Sequence, residues 1–188
     1  MTIKIGYMGI PFSNSEEASM KFIKAEGWSD YELLPLISSQ GVVDSLEKGE
    51  SDYGVVASSN ITAGPVIETK EALKGKDNIE SLKTDIVPIH HCVFIKNENV
   101  KINALVSHIQ ALLQTKNNLD KLYPDTDRIE VEDTALAAKM LNEGDLPETS
   151  AVVCRKNAGE FYKLILAHEN IEDRNDNMTT FTLLRIKK

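Results

Sequence analysis

Short β-prone runs alternate with amphipathic stretches along nearly the whole chain. Ile3 to Met8 reads as a strand and Gly9 to Asn14 as a loop. Ser15 is the expected N-cap of a helix with Ala18, Phe22 and Ala25 on one face, and Glu16 and Glu17 suit its first turn. Tyr31 to Ile37 predicts a second strand. Ser38-Ser39-Gln40 then leads into a helix bearing Val42, Val43 and Leu46, which Gly49 ends. Tyr53 to Ala57 is a third strand, Ser58 to Gly64 a polar loop, and Pro65 the start of a helix through Leu73. From Ile79 to Lys96 the chain is β-rich with a break at Pro88, as expected of strands that leave one lobe and begin another.

The second half repeats the alternation. Leu105-Val106 ends a strand, and Ser107-His108 opens a helix with Ala111, Leu112, Thr115, Leu119 and Leu122 along one side. Ile129 to Val131 is a strand, Asp133-Thr134 caps a helix, and Ala151 to Cys154 is another strand before a short helix from Arg155 to Tyr162. Leu164 to Leu166 is a further strand. Phe181 to Ile186 is short and β-prone, so it reads as a strand returning to a sheet built earlier. The loop before it, Asn177 to Phe181, lies at a crossover, where Thr179 and Thr180 either cap a turn or present hydroxyls to a ligand. The expected architecture is α/β in two lobes, lobe 1 about 1–80 with 180–188 and lobe 2 about 85–178.

Composition narrows the partners. Of 188 residues, 41% are apolar and 27% charged, which is ordinary for a globular protein with a substantial core. The net charge of −8 argues against nucleic acid or an anionic membrane, since both need a basic face. The N-terminus lacks a signal-type segment and no apolar run is long enough to span a bilayer, so a cytoplasmic location is expected. Cys92 and Cys154 sit in apolar strand-like runs, as buried free thiols of a reducing compartment do.

In sheets of this kind ligands sit beyond the carboxyl ends of the parallel strands. Those ends here carry Ser13, Asn14 and Ser15, then Ser38 and Ser39, then Ser58, Ser59 and Asn60, and in the second half Ser107, His108 and Thr134. Capping explains any single one of them; their recurrence points to a polar cleft. His90, His91 and Cys92 are consecutive in a predicted strand, so neighbours face opposite sides and no metal site is expected. Gly6 to Pro11 lacks the dinucleotide-binding spacing. A serine–histidine–acid triad stays open on sequence alone, although the adjacent Ser107 and His108 are poorly arranged to activate one another.

Five stretches in register resemble one family. Ser107 to Gln114 (SHIQALLQ) is similar to the "SHPQAL" helix start of prephenate dehydratases, and Gly9 to Ala18 (GIPFSNSEEA) to their "GPxGTFSExA" loop. Val56 to Val66 (VASSNITAGPV) resembles "VPIENSxxGxV", Asp133 to Ala138 (DTALAA) resembles "STAxAA", and Asn170 to Phe181 (NIEDRNDNMTTF) resembles "NIQDxxxNxTRF". The resemblance implies a two-lobed α/β catalytic domain like type 2 periplasmic binding proteins, with the site in the interlobe cleft. It implies no cofactor and no metal, a small-molecule partner, and a homo-oligomer, dimer or tetramer. The chain ends right after its terminal strand, so the phenylalanine-sensing ACT domain of many relatives is not expected.

The implied reaction is decarboxylation and dehydration of prephenate to phenylpyruvate, in phenylalanine biosynthesis. Thr179 aligns with the family's catalytic threonine and would donate to the departing hydroxyl, with Phe181 packed beneath it. Ser15, Asn60, Ser107, His108 and Gln110 carry over as residues that orient substrate. The departures are as informative. Thr180 stands where the family has arginine, Ser59 where it has glutamate and Ile61 where it has serine, and Ser13 and Asn14 replace threonine and phenylalanine. Losing a cation from a site for a dianion costs several kcal/mol unless compensated. Arg155, at the end of the strand Ala151 to Cys154, is the candidate to restore it; its alternative is a solvated first-turn residue. Two further readings stand beside the dehydratase: a decarboxylase that does not aromatise prephenate, and a non-catalytic small-molecule sensor on the same scaffold.

Overall fold

The computed structural model describes residues 2–61 and 63–187. The chain forms two α/β units, Met1–Pro88 with Met178–Lys188 and Ile89–Asn177, each built on its own sheet.

Unit 1 comprises β1 (Ile3–Tyr7), α1 (Asn14–Glu26), β2 (Tyr31–Pro35), α2 (Ser39–Glu47), β3 (Tyr53–Asn60), β4 (Gly64–Pro65), α3 (Ile67–Ala72), β5 (Ile79–Pro88) and the last strand of the chain, which we number β11 (Met178–Ile186). The strand order is β2-β1-β3-β11-β5, with β4 paired to β3. β1 is parallel to β2 and β3, while β11 runs antiparallel between β3 and β5. The C-terminal strand is thus interior to the first sheet, and the carboxyl ends of β1 and β3 share an edge with the start of β11. Unit 1 packs Val42, Leu46, Val56 and Leu184 together, with Met8, Leu36, Leu73, Ile79 and Ile186 against them. Each such side chain contributes roughly 1.5–3 kcal/mol by leaving water.

Unit 2 comprises β6 (Cys92–Ile95), β7 (Ala104–Ser107), α4 (Ile109–Gln114), α5 (Lys116–Leu122), β8 (Asp127–Glu130), α6 (Thr134–Glu143), β9 (Ser150–Cys154), α7 (Lys156–Phe161) and β10 (Ile165–His168). Its order is β10-β6-β9-β7-β8. Val93, Leu105, Leu112, Leu119, Val153 and Ile171 lie in its core. Cys92 and Cys154 are buried free thiols on directly opposed positions of β6 and β9.

Several local expectations shift for physical reasons. Helix α1 is capped by Ser13, whose hydroxyl accepts from Glu16 N at 3.3 Å, and Ser15 joins Ala18, Ser19, Phe22 and Ile23 on the buried face. Strand β3 runs on through Asn60 because β11 pairs with it there, and Thr179 and Thr180 accordingly lie in a strand rather than a loop. Gly64–Pro65 pairs back onto β3 and leaves Ile67 to begin α3. The expected long helix after His108 is two helices, parted at Thr115, whose hydroxyl bonds back to Ala111 O at 2.6 Å. The first crossing between units falls after Pro88, since β5 pairs with β11 along its length and proline is tolerated on an edge strand. Among the described residues, no helix is long and apolar enough to cross a membrane.

Two turns of unit 1 hold bulky residues in left-handed backbone. Ser13 N donates to Ile10 O at 3.2 Å, with Pro11 second in the turn and Phe12 third at φ 71°. That is a type II turn, whose third position usually falls to glycine or asparagine. Ser38 N donates to Leu36 O at 2.6 Å across Ile37, whose φ is 63°: a γ-turn of the rare, strained hand. Gly41 makes room for it, because a Cβ there would stand 2.5 Å from Leu36 O. Each conformation costs about 1–2 kcal/mol for a residue with a Cβ.

Candidate functional site

The shared sheet edge of unit 1 brings two of the sequence-predicted residues into direct contact. Thr179 and Asn60 are cross-strand partners, and Asn60 Nδ2 donates to Thr179 Oγ1 at 2.9 Å and to Met178 O at 3.0 Å. Asn60 Oδ1 accepts from Ala63 N at 2.9 Å, which fixes the amide the right way round. A hydroxyl oxygen that accepts from an amide keeps its own hydrogen for another acceptor. Among the described residues nothing takes that hydrogen from Thr179, which retains 8% of its surface accessible. The fixed donor behind it thus makes Thr179 a directed hydrogen-bond donor.

The next pair along, Thr180 and Ser59, is also directly opposed across β11 and β3, and both are half-buried. These are the two positions where the quoted motifs have arginine and glutamate. Opposed residues of an antiparallel pair hold their Cβ atoms about 4.5–5.5 Å apart, the reach of an ion pair. In this chain the opposed pair consists of two hydroxyl side chains. Ser58 is the extra residue of a bulge at this point, and its hydroxyl donates to Thr180 O at 3.0 Å. Phe181, 1% exposed, anchors the strand in the core. Ser15 is buried on α1.

The remaining predicted residues belong to unit 2. Ser107 is fully buried and its hydroxyl donates to Val153 O at 2.5 Å. His108 caps α4 with Nδ1, which accepts from Gln110 N at 3.2 Å, and the Gln110 side chain is exposed. Arg155 precedes α7 without a side-chain capping bond and is half-buried.

Unit 2 also holds a buried polar cluster that reading the strand ends did not find. Gln114 Oε1 accepts from His91 Nε2 at 2.8 Å and from Asn177 Nδ2 at 2.9 Å. Because a carboxamide oxygen only accepts, His91 carries its hydrogen on Nε2. Its Nδ1 is then a buried acceptor with no donor among the described residues. Glu172 accepts from the His91 amide at 3.0 Å and pairs with His90 Nδ1 at 2.7 Å. Burial pushes the His91 pKa down against the Gln114 bond and the Glu172 charge, and the Arg155 guanidinium adds to the push. Burial works against the Glu172 charge, yet the bonds from His91 and His90 together hold its carboxyl below the ordinary value. The one signal in sequence was an amide, Gln114, closing an otherwise apolar helical stretch. No group of three or more His, Cys, Asp or Glu among the described residues is disposed to hold a metal ion.

At the other end of the unit 1 sheet, a shallow concavity of about 670 Å³ is bordered by Ile3, Tyr53 and Arg185 among others. Two of its charged side chains are engaged by neighbours, Arg185 by Glu80 and Glu47 by Lys76, both at 2.7 Å. The directed donor lies at the Asn60–Thr179 edge instead.

Residues 5–188 match the prephenate dehydratase family. The chain is 30% identical over 187 residues to a prephenate dehydratase of Lactococcus lactis subsp. cremoris (strain MG1363), covering 99% of this chain and 64% of that protein. The solved structure of an Arthrobacter aurescens prephenate dehydratase, in complex with L-Phe, superposes with a TM-score of 0.83 at 22% identity, over 99% of this chain and 61% of that one. A periplasmic substrate-binding protein of an ABC transporter from Coxiella burnetii shares the fold at a TM-score of 0.53 and 10% identity, over 98% of this chain and 84% of that one.

Proposed function

The chain belongs to the prephenate dehydratase family, and on that premise we propose that it converts prephenate to phenylpyruvate at the Asn60–Thr179 edge of unit 1. The bond from the ring to its carboxylate breaks, and that electron pair enters the ring as carbon dioxide leaves. The carbon–oxygen bond across the ring breaks in turn, and the hydroxyl departs as water once protonated. Aromatisation drives the sequence, so no cofactor is called for. What the protein supplies is a fixed pose and a donor at the departing oxygen.

One observation carries this reading: Asn60 donates to Thr179, so the threonine hydrogen is aimed away from its own strand partner. A threonine hydroxyl is too weak an acid to act by itself, but a positioned donor to a developing charge is worth about 10²–10³ in rate. Ser15 and Thr180 are the proposed substrate-binding residues of unit 1, and His108, Gln110 and Arg155 those of unit 2, while Ser107, fully buried and bonded to Val153 O, serves the fold of its own unit instead. Of the unit 2 group, Arg155 and His108 keep the part-exposed side chains suited to contacting it. The proposal extends to a cytoplasmic, homo-oligomeric enzyme, its assembly measurable by light scattering.

The neutral Ser59–Thr180 pair favours a second reading, in which carbon dioxide is lost but the ring is protonated instead of aromatised. Proton NMR of the purified protein with prephenate separates the two. Aromatic phenylpyruvate supports the dehydratase, a dihydro product the alternative, and line broadening without turnover sinks both.

A further inference from the structure

The chain leaves unit 2 through residues 169–177, which form neither helix nor strand. A loop of that kind is held by whatever pairs with its polar groups. Here the receiving surface is the break between α4 and α5. Gln114 ends α4, and its carbonyl accepts from Asp173 N at 2.8 Å. Asn117 and Asn118, in the first turn of α5, donate their backbone amides to the Asp173 carboxylate, both at 2.9 Å. The Asn118 side chain donates to Ile171 O at 3.2 Å and to Glu172 O at 3.1 Å. In one unbroken helix those two amides would bond to Leu113 O and Gln114 O instead, so the break at Thr115 is what frees the junction to receive the loop.

The Gln114 side chain extends the same arrangement to the end of the loop. Its single oxygen accepts from Asn177 Nδ2 at 2.9 Å and from His91 Nε2 at 2.8 Å, and all three residues are buried. Asn177 is the last residue of unit 2 and His91 the third after the first crossing, so one atom ties both passages of the chain. Ile89 N donates to Asn177 O at 2.9 Å, and from there on the two passages are sheet, with Met178 opposite Pro88 and Thr179 opposite Val87. Thr179 follows Asn177 by two residues. Folding alone does not ask for this cluster. It leaves His91 Nδ1 a buried acceptor without a donor among the described residues, where an apolar residue at the end of α4 would pack without that cost.

We propose that Gln114 is a positioning residue: at one end of the helix whose other end carries His108 and Gln110, it tethers the strand that carries the Thr179 donor. The inference rests on the proposed function and deepens it by naming a residue that acts on the reaction without touching the substrate.

The test is steady-state kinetics with prephenate on Gln114→Leu, Gln114→Glu and Asp173→Ala, each alone and combined with Thr179→Val, with thermal melting alongside. Gln114→Leu removes the shared acceptor, so kcat should fall about 10- to 100-fold while KM moves far less, since the binding side chains remain and only the donor is loosened. Gln114→Glu keeps an oxygen for both donors and should recover most of kcat. With Thr179→Val already present, Gln114→Leu should cost about 2-fold or less, because the tether then holds no donor. Asp173→Ala loosens the loop at its half-buried side and should show the same dependence on Thr179, which keeps the tether testable should Gln114→Leu fail to fold. Equal losses of kcat with and without Thr179, or a lower melting temperature at unchanged kcat, overturn the tether alone. A wild type that forms no phenylpyruvate overturns the dehydratase reading and the tether with it.

Discussion

The two units carry the same residue types to opposite ends. In unit 1 the polar groups at the sheet edge keep hydrogen-bonding capacity: Asn60 directs Thr179, whose hydrogen stays available. In unit 2 the comparable groups are committed to the protein. Ser107 donates to Val153 O, His108 caps its own helix, and Gln114 holds His91 and Asn177 with one oxygen. Left-handed backbone does not follow this division, since Phe12 and Ile37 in unit 1 are matched by Asp125, Lys163 and Asn170 in unit 2. The contrast teaches that a serine or threonine at a strand end says little about chemistry until its partners are known. What matters is whether the hydroxyl is used as a donor or left able to donate.

The strongest test sets one hydroxyl of each unit against the other. Thr179→Val keeps the shape and removes the donor, so kcat should fall about 100-fold or more with little change in melting temperature. Ser107→Ala leaves the Val153 carbonyl short of a partner and should cost about 1 kcal/mol of stability, with kcat/KM within a few-fold of the wild type. Steady-state kinetics and urea denaturation of both variants read the two effects separately. Reversed outcomes would place the chemistry on the wrong unit.

A smaller effect sharpens the account of unit 1. If Ser59 and Thr180 jointly replace a charge pair, then Thr180→Arg and Ser59→Glu should each lower stability slightly, and the double variant should recover it. The coupling should be about 0.2–1 kcal/mol, as for part-exposed cross-strand pairs. Strict additivity would mean the two substitutions are unrelated and would leave another residue, such as Arg155, as the candidate to supply the missing cation.

The alternation of elements was legible because period and punctuation agreed. Ala18 and Phe22 do face the core from α1, and Asp133 does cap α6. Boundaries failed where tertiary pairing overrode local signals. Ser58 to Asn60 looks like loop, yet β11, distant in sequence, supplies a partner and extends the strand. The resemblance of short motifs located Asn60 and Thr179, but not that one donates to the other, because that depends on the β3–β11 register. Phe12 and Ile37 were invisible for a different reason: no composition rule expects a bulky residue where the backbone wants glycine. Gln114 was passed over because an amide at a helix end resembles any solvated residue until its neighbours are seen.

The mildest prediction concerns pH and unit 2. His91 is held neutral in the fold, its pKa pushed below the ordinary 6.5 chiefly by burial. On acidification through 6.5 the unfolded chain binds a proton at this residue before the folded chain does, so stability is lost as pH falls. Glu172, depressed from its ordinary 4.5, adds a second loss at lower pH, where its carboxylate must be protonated. The wild type should therefore melt at progressively lower temperature from about pH 6.5 downwards, with a further decline below about pH 4.5. His91→Gln removes the first limb and keeps the second, and its amide can still donate to Gln114. Melting curves across that range that coincide in shape for the two proteins would show that His91 is protonated as easily in the fold as outside it, and unit 2 would then lose its standing as the unit whose polar groups are committed to structure.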